Sequence, residues 1–140
     1  MGRFNVIIGE SEKVIIGILT DIIGDVIKDK YELVIYTSFL SNKILQYGSN
    51  SNIDLFCLTL NNIKYANSDN LSNNKTKNTL QFVSLVRNEH QRPIIAMAGW
   101  PNEPNYPNQV ISAGADYFFK LPLRIPDFRN AFESIYAKLF

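Results

Sequence analysis

Near the C-terminal end of the chain lies the run Ala113-Gly114-Ala115-Asp116-Tyr117-Phe118-Phe119-Lys120-Leu121-Pro122-Leu123. Small residues around Gly114 precede a short apolar segment, Asp116 to Lys120, which we predict to be a β-strand. Pro122 follows this segment almost at once and limits how far a strand can continue. Because side chains alternate between the two faces of a strand, Lys120 and Leu121 are expected to point to opposite sides of the sheet.

The rest of the chain alternates strands and helices. The other predicted strands are Phe4–Ile8, Glu32–Thr37, Asp54–Leu60 and Pro93–Ala98. The predicted helices are about Glu12–Lys28, Ser38–Gln46, Thr79–Glu89, a short helix ending at Ala113, and Pro126–Leu139. Residues 61–78 are rich in Asn, Ser and Lys and are predicted to form a polar loop. This alternation predicts an α/β fold with a doubly wound, five-stranded parallel sheet of flavodoxin-like order 2-1-3-4-5 and helices on both faces.

Composition limits the classes of function. The chain has 140 residues, of which 46% are apolar, and this suits one core and one domain over residues 1–140. The net charge of +1 gives no field for nucleic acid or anionic membrane, and no apolar run approaches the ~20 residues of a membrane span. The single cysteine, Cys57, lies in an apolar run and is expected to be a buried hydrophobe in a reducing compartment. We expect a cytoplasmic protein without cofactor or metal.

The pattern resembles the receiver domain of response regulators, the CheY-like family. The spacing from Gly114 to Pro122 matches the end of a receiver. The segment Asp54–Leu60, Asp-Leu-Phe-Cys-Leu-Thr-Leu, matches the family's third strand. The resemblance covers about residues 4–139 and implies a phosphorylation pocket at the carboxyl ends of the strands. Five groups work there in the family: two acids, an acceptor aspartate, a Thr or Ser, and a lysine.

The resemblance assigns the pocket positions to Glu10, Ser11, Thr59, Ala98, Lys120 and Leu121. Glu10 holds the first acidic position, and Ser11 replaces the second acid. Thr59 stands in place of the acceptor aspartate, Ala98 replaces the Thr or Ser, and Leu121 takes the lysine position. Lys120 is one residue too early. The resemblance therefore implies a degenerate pseudo-receiver with most of its pocket groups missing and no catalytic residue.

The chemistry of receivers explains why these losses matter. Mg²⁺ requires several oxygen ligands, usually including carboxylates, and an acyl phosphate forms only on a carboxylate. Thr59 has no carboxylate to offer as a Mg²⁺ ligand and cannot form an acyl phosphate. Asp54 cannot replace it, because five residues of strand separate the two by ~16 Å. Glu10 also fits a second role, as an acid favoured by the dipole at the start of a helix.

A partner surface is the second kind of candidate site. In receivers, the face made by the fourth helix, fifth strand and fifth helix commonly contacts partners. Here that face is expected to carry Tyr106, Tyr117, Phe118, Arg124 and Arg129, and aromatic residues and arginine are frequent at interaction hot spots. A homodimer through this face is one expectation. Phe118, Phe128 and Tyr136 also fit the core of the domain.

These observations predict a non-catalytic, phosphorylation-independent interaction module in two-component-type signalling. The alternative is a receiver-like domain that senses a small molecule through the altered pocket, with Trp100 beside it. A third hypothesis is modification of Thr59 or Ser11 by a Ser/Thr kinase. His90 is expected at a solvated helix end, because no second histidine or nucleophile accompanies it. Glycine-rich phosphate loops of the GxGxxG or Walker type do not occur in the sequence.

Overall fold

The structure is a computed structural model that describes residues 2–65, 75–99 and 103–139. Within these ranges it contains five strands, five α-helices and one short 3-10 helix. In chain order they are β1 (Gly2–Gly9), α1 (Lys13–Ile27), β2 (Tyr31–Ser38), α2 (Ser41–Asn50), β3 (Leu55–Thr59), the 3-10 helix (Leu60–Asn62), α3 (Lys75–Glu89), β4 (Ile94–Ala98), α4 (Tyr106–Ala113), β5 (Tyr117–Lys120) and α5 (Ile125–Leu139). None of the described helices is both long and apolar enough to cross a bilayer.

The strands form one parallel sheet in the order β2-β1-β3-β4-β5, which confirms the predicted topology. β3 lies in the centre, with Val6 of β1 opposite Leu55 and Ile94 of β4 opposite Phe56. All five residues of β3 and all five of β4 are buried. Near-continuous burial is expected of central parallel strands that helices cover on both faces.

Two hydrophobic clusters cover the faces of the sheet. The first joins residues of α2, α3 and α4 to one face and includes Ile44, Phe82, Val86 and Val110. The second joins α1 and α5 to the other face and includes Leu19, Ile23, Phe128 and Phe132. Cys57 of β3 is fully buried in the second cluster, and this burial raises the pKa of its thiol.

Two helices differ from the sequence-based boundaries. α3 begins at Lys75 instead of Thr79, inside the predicted loop, because polar residues of its first turns find partners across the α3–α4 contact. The Thr76 hydroxyl lies 2.9 Å from the Glu103 carboxylate, and the Thr79 hydroxyl lies 2.7 Å from the Tyr106 hydroxyl. Apolar periodicity does not register such contacts.

The second difference concerns α2, which spans Ser41–Asn50 instead of Ser38–Gln46. Ser38 belongs to β2, where it pairs with Gly9 of β1. The strand therefore continues past the residues that were predicted to start the helix.

We call the end of the sheet where the strands begin the amino edge. Asp54 precedes β3 and accepts a 2.8 Å hydrogen bond from the Asn5 backbone N–H. Asp116 precedes β5 and accepts hydrogen bonds from the Ile94 N–H, at 2.8 Å, and from the Arg87 guanidinium, at 2.7 Å. Both carboxylates therefore position neighbouring strands.

Arg87 connects several segments at this edge. Besides binding Asp116, its guanidinium donates to the backbone carbonyls of Gly114, at 2.9 Å, and Arg92, at 3.0 Å. Gly114 ends α4 with φ of +135°, a conformation that side chains disfavour, and a Cβ there would lie 2.6 Å from the Arg87 Cβ. A glycine is therefore required where α4 turns into β5.

The structure contradicts the expectation for His90. Its side chain is only 17% exposed, and its ring lies 5.1 Å from the Phe56 ring. Gly48 of α2 also contacts the imidazole, because a Cβ at that glycine would lie 2.7 Å from Nε2. His90 is therefore packed into the amino edge and is not a solvated helix end.

Candidate functional site

The carboxyl edge of the sheet, where the strands end, contains a cavity of about 530 Å³. α1, the segment after β3, the end of β4 and the segment from β5 into α5 supply its walls. The lining residues are Glu12, Ile15, Ile18, Asn61, Asn62, Gly99, Leu121, Pro122, Leu123 and Ile125. Ligands of open parallel α/β sheets bind at this edge, so the cavity is the candidate functional site.

Glu10 is bound to Asn62, one of the lining residues, and is only 2% exposed. Its Oε1 atom accepts hydrogen bonds from the Ser11 N–H at 2.9 Å, the Glu12 N–H at 3.1 Å and the Asn62 side-chain amide at 2.7 Å. The first two donors belong to the segment that leads into α1. The other oxygen, Oε2, is buried and has no hydrogen-bond partner in the part of the chain that the structure describes.

Thr59 ends β3, at the position that the resemblance assigns to the phosphoacceptor. Its side chain is fully buried, and its hydroxyl has no hydrogen-bond partner within residues 2–65, 75–99 and 103–139. A kinase could not reach this hydroxyl in the folded protein, so the structure argues against modification of Thr59. Ser11 is exposed and stays open to modification.

The receiver fold implies a Mg²⁺ site at this edge, but the residues present do not fit the ion. Glu10 directs one oxygen at three N–H donors, and Thr59 offers a hydroxyl where a carboxylate would have to stand. Among the described residues, no group of three His, Cys, Asp or Glu side chains lies close enough to hold a metal. Mg²⁺ needs more carboxylate oxygen than this arrangement offers.

At the end of β5, the structure separates Lys120 from Leu121. Leu121 lines the cavity and packs on the α1–α5 side, whereas Phe118, on the same strand face as Lys120, packs on the α3–α4 side. Lys120 is exposed and pairs with Ala98 in the sheet. An apolar side chain therefore borders the cavity at this position.

Sequence reasoning missed two asparagines in the 3-10 helix after β3. The Asn61 side chain accepts a 3.0 Å hydrogen bond from the Gly99 N–H, and Asn62 donates to Glu10. Their position directly after the third strand could have indicated a place at the site, but the sequence pattern puts both in the predicted polar loop. Ala98 is buried, and its carbonyl accepts a hydrogen bond from the Leu121 N–H. Trp100, predicted to border the pocket, lies outside the described residues.

The predicted partner residues do not share one exposed face. Tyr106 is fully buried, and its ring meets Phe118 edge-on with centroids 5.6 Å apart, so its placement on the surface was wrong. Its hydroxyl lies 2.7 Å from the Thr79 hydroxyl, so the tyrosine can occupy the core with its polar atom satisfied. Phe118 is half-buried against the same cluster.

The other three partner candidates are more accessible. Tyr117 is half-buried and stacks on Phe119, and the Arg124 side chain is 79% exposed. Arg129 is bound to Asp25 of α1 at 2.7 Å and to Glu133 at 2.9 Å. Phe128 is buried and Tyr136 is half-buried in the α1–α5 cluster, as the core interpretation expects.

Comparisons with known proteins identify the architecture. No family model matches the chain, and no curated protein matches it either. Among solved structures, a two-component response regulator from Clostridium difficile matches with a TM-score of 0.73 at 16% identity, covering 98% of both chains. A CheY-like receiver domain protein from Methanospirillum hungatei matches with a TM-score of 0.68 at 13% identity, covering 98% of this chain and 96% of that chain.

An orphan response regulator from H. pylori matches with a TM-score of 0.66 at 17% identity, covering 95% of this chain and 96% of that chain. Identities this low carry information about the fold alone. The chain therefore has the fold of the receiver domains of two-component response regulators.

Proposed function

We propose that the chain is a pseudo-receiver, a non-catalytic module that binds protein partners in two-component-type signalling without being phosphorylated. The observation that carries this proposal is Thr59, a buried threonine at the end of β3 where a receiver needs its acceptor carboxylate. A hydroxyl cannot form the acyl phosphate through which receivers accept a phosphoryl group.

The neighbouring groups support the same proposal. A phosphoryl group requires nearby positive charge, and Leu121 lines the cavity where the resemblance expects a lysine. Glu10 is the only acid that the resemblance assigns to the pocket, and Asn62 already donates to it. The site therefore lacks the acceptor and the cation together.

The hydrogen bonds at the carboxyl edge explain how such a module would hold one conformation. Asn62 joins the segment after β3 to Glu10 after β1, and Asn61 joins the same segment to Gly99 after β4. In this proposal, side-chain amides take over the connection between strand ends that a bound ion makes in a receiver. The partner surface would then be presented without a phosphorylation signal.

We assign partner contact to the surface of α4, β5 and α5, without Tyr106. Arg124 is the most accessible of the predicted residues and follows β5, the strand that begins at Tyr117 and ends at Lys120. A homodimer through this surface is the simplest form of such a contact. Sedimentation velocity on the wild type and on Arg124→Glu tests it, and a wild type that stays monomeric at high concentration rejects the homodimer.

The decisive experiment asks whether the carboxyl edge responds to phosphorylation chemistry. Amide ¹H–¹⁵N spectra of the wild type would be followed during addition of Mg²⁺ and then beryllofluoride, an acyl-phosphate mimic. We expect no saturable shift at Glu10, Thr59 or Gly99. The control is the triple variant Ser11→Asp, Thr59→Asp, Leu121→Lys, which restores an acid, the acceptor and the lysine and is expected to respond.

Intact mass after incubation with acetyl phosphate provides a second readout that does not depend on the triple variant. The wild type is expected to keep its mass. A mass gain of one phosphoryl group, or a saturable beryllofluoride response in the wild type, would overturn the proposal.

A further inference from the structure

The cavity at the carboxyl edge has walls that are mainly apolar. Ile15 and Ile18 come from α1, and Leu121, Leu123 and Ile125 come from the segment that joins β5 to α5. The side chain of Ile125 is 48% exposed although it borders this cavity. A concave apolar surface that the protein itself leaves partly open is a common feature of ligand sites.

The charge of the cavity lining favours a cationic ligand. Glu12 is the one charged residue among the described lining residues, and Asn61 and Asn62 add side-chain amides. Asn62 donates to Glu10, whose Oε2 atom is buried and has no hydrogen-bond partner among the described residues. Within the described lining there is no Lys, Arg or His that could bind an anion.

We propose that this cavity binds a small apolar molecule carrying a protonated amine. The apolar part of the ligand would pack against the isoleucines of α1 and the leucines after β5. Its ammonium group would lie at the acidic side of the cavity, near Glu12. The volume of about 530 Å³ lies within the ordinary range for small-molecule sites.

The distribution of charge argues against the opposite ligand class. A phosphate or carboxylate placed in the cavity would face Glu12 and would meet no cation among the described lining residues. Desolvation by the apolar walls would make this repulsion stronger than it is in water. The inference does not depend on the proposed function, because ligand binding is measured on the isolated chain without a partner or a phosphodonor.

A matched pair of probes tests the proposal on the wild-type chain. 4-Phenylbutylamine and 4-phenylbutanoate share the same apolar body and carry opposite charges. Each would be titrated while amide ¹H–¹⁵N shifts are recorded. The amine is expected to give saturable shifts at Asn62, Gly99, Leu121 and Leu123, with a Kd of about 1 mM for a ligand of this size. The carboxylate is expected to bind at least about tenfold more weakly.

Substitutions locate the binding site. Leu123→Trp would fill the cavity and is expected to abolish the amine shifts. Leu85→Trp adds the same side chain at a 42% exposed position on the outer surface of α3 and is expected to leave binding unchanged.

The acidic side chain is tested separately. Glu12→Gln keeps the shape of the side chain and removes its charge, and it is expected to weaken amine binding by about fivefold. Glu32→Gln, on an exposed position of β2, is the charge-matched control.

Three results would overturn the proposal. They are no saturable shift with the amine, equal binding of amine and carboxylate, and shifts that survive Leu123→Trp. Saturable binding of the amine that Leu123→Trp removes, with discrimination against the carboxylate that Glu12→Gln reduces, supports it.

Discussion

The two edges of the sheet differ in the hydrogen bonding of the carboxylates and hydroxyls that lie next to the strands. At the amino edge, the Asp54 and Asp116 carboxylates accept hydrogen bonds from neighbouring strands, and Arg87 completes the connections. At the carboxyl edge, one buried Glu10 oxygen and the buried Thr59 hydroxyl have no hydrogen-bond partner among the described residues. Buried polar groups without partners cost stability, and among the described residues the Nε2 atom of His90, at the amino edge, is one as well. The contrast between the edges is therefore limited to the carboxylates and the hydroxyl that lie next to the strands.

This contrast indicates where side-chain hydrogen bonds support the register of the strands. At the amino edge, Asp54 and Asp116 accept hydrogen bonds from neighbouring strands and so help to hold these strands in register. At the carboxyl edge, the Thr59 side chain makes no such hydrogen bond to any of the described residues. Substitutions at the two edges should therefore have effects of different size and, in one case, of opposite sign.

The largest effect is expected from Arg87→Ala at the amino edge. The change removes the donors to the Gly114 and Arg92 carbonyls and to Asp116. We expect the free energy of unfolding to fall by about 2–4 kcal/mol, because partly buried acceptors lose their partner. Urea unfolding measures this change. Arg124→Ala, at a side chain that is 79% exposed, is the matched control and should change stability by less than about 0.5 kcal/mol. Equal effects of the two substitutions would contradict the importance of the amino edge.

A pair of glycine substitutions sharpens the comparison within the backbone. Gly114→Ala places a Cβ 2.6 Å from the Arg87 Cβ at φ of +135° and is expected to cost about 1–3 kcal/mol. Gly17→Ala lies on the exposed side of α1 with nothing within 4 Å of the new Cβ, and it should stabilise by about 0.5–1 kcal/mol. Thermal unfolding of both variants checks the opposite signs.

The same reasoning explains how far the sequence predicts this molecule. Strand order and the alternation of elements follow from apolar runs such as Asp54–Leu60, and the structure confirms them. The start of α3 and the burial of Tyr106 were not predictable, because both depend on hydroxyl contacts between α3 and α4. Such contacts leave no trace in hydrophobic periodicity.

At the candidate site, the sequence indicated which residues lie at the pocket positions, but it did not indicate their hydrogen-bond partners. Thr59 and Leu121 stood out only because a family pattern indicated what should occupy their places. The contacts of Asn61 and Asn62 join segments that are far apart in the chain, and side-chain amides in a polar stretch give no spacing signal. The packing of His90 against Phe56 was not predictable either, because these two residues are also far apart in the chain.

Two buried threonines test what the missing hydrogen bond of Thr59 costs at the carboxyl edge. Thr59 and Thr79 are 0% and 1% exposed, but only the Thr79 hydroxyl has partners, the Thr76 carbonyl and the Tyr106 hydroxyl. Thr59→Val is expected to raise the free energy of unfolding by about 1 kcal/mol, because it removes an unpaired polar group and keeps the shape. Thr79→Val should lower it by about 1 kcal/mol. If chemical denaturation shows that Thr59→Val destabilises the protein, the hydroxyl has a partner in solution and the contrast between the edges fails.

The smallest effect is expected away from both edges, at the Asp25–Arg129 ion pair between α1 and α5. The hydrogen bond from Arg129, followed by that from Lys28, holds the pKa of Asp25 below its usual 3.8. Because the folded pKa is depressed, the pair stabilises the protein above pH 3.8, and this contribution is lost as the pH falls through the folded pKa. Asp25→Asn should therefore lower the urea midpoint slightly at neutral pH and not at the acid end, and salt should reduce the difference. Asp21→Asn, an exposed acid on the same helix, is the control; equal shifts for both variants would mean that the pair contributes nothing.

The reactivity of the single cysteine can serve as a probe of how often the native structure opens. Cys57 lies in the middle of the central strand, fully buried, with a thiol whose pKa burial raises. A thiol in that state is almost inert toward alkylating reagents, because the reactive thiolate is scarce and no reagent reaches it. The alkylation rate of Cys57 in the native chain therefore reports how often the sheet opens away from α1 and α5. The same alkylation rate, measured with a ligand or a partner present, can show whether binding makes this opening less frequent.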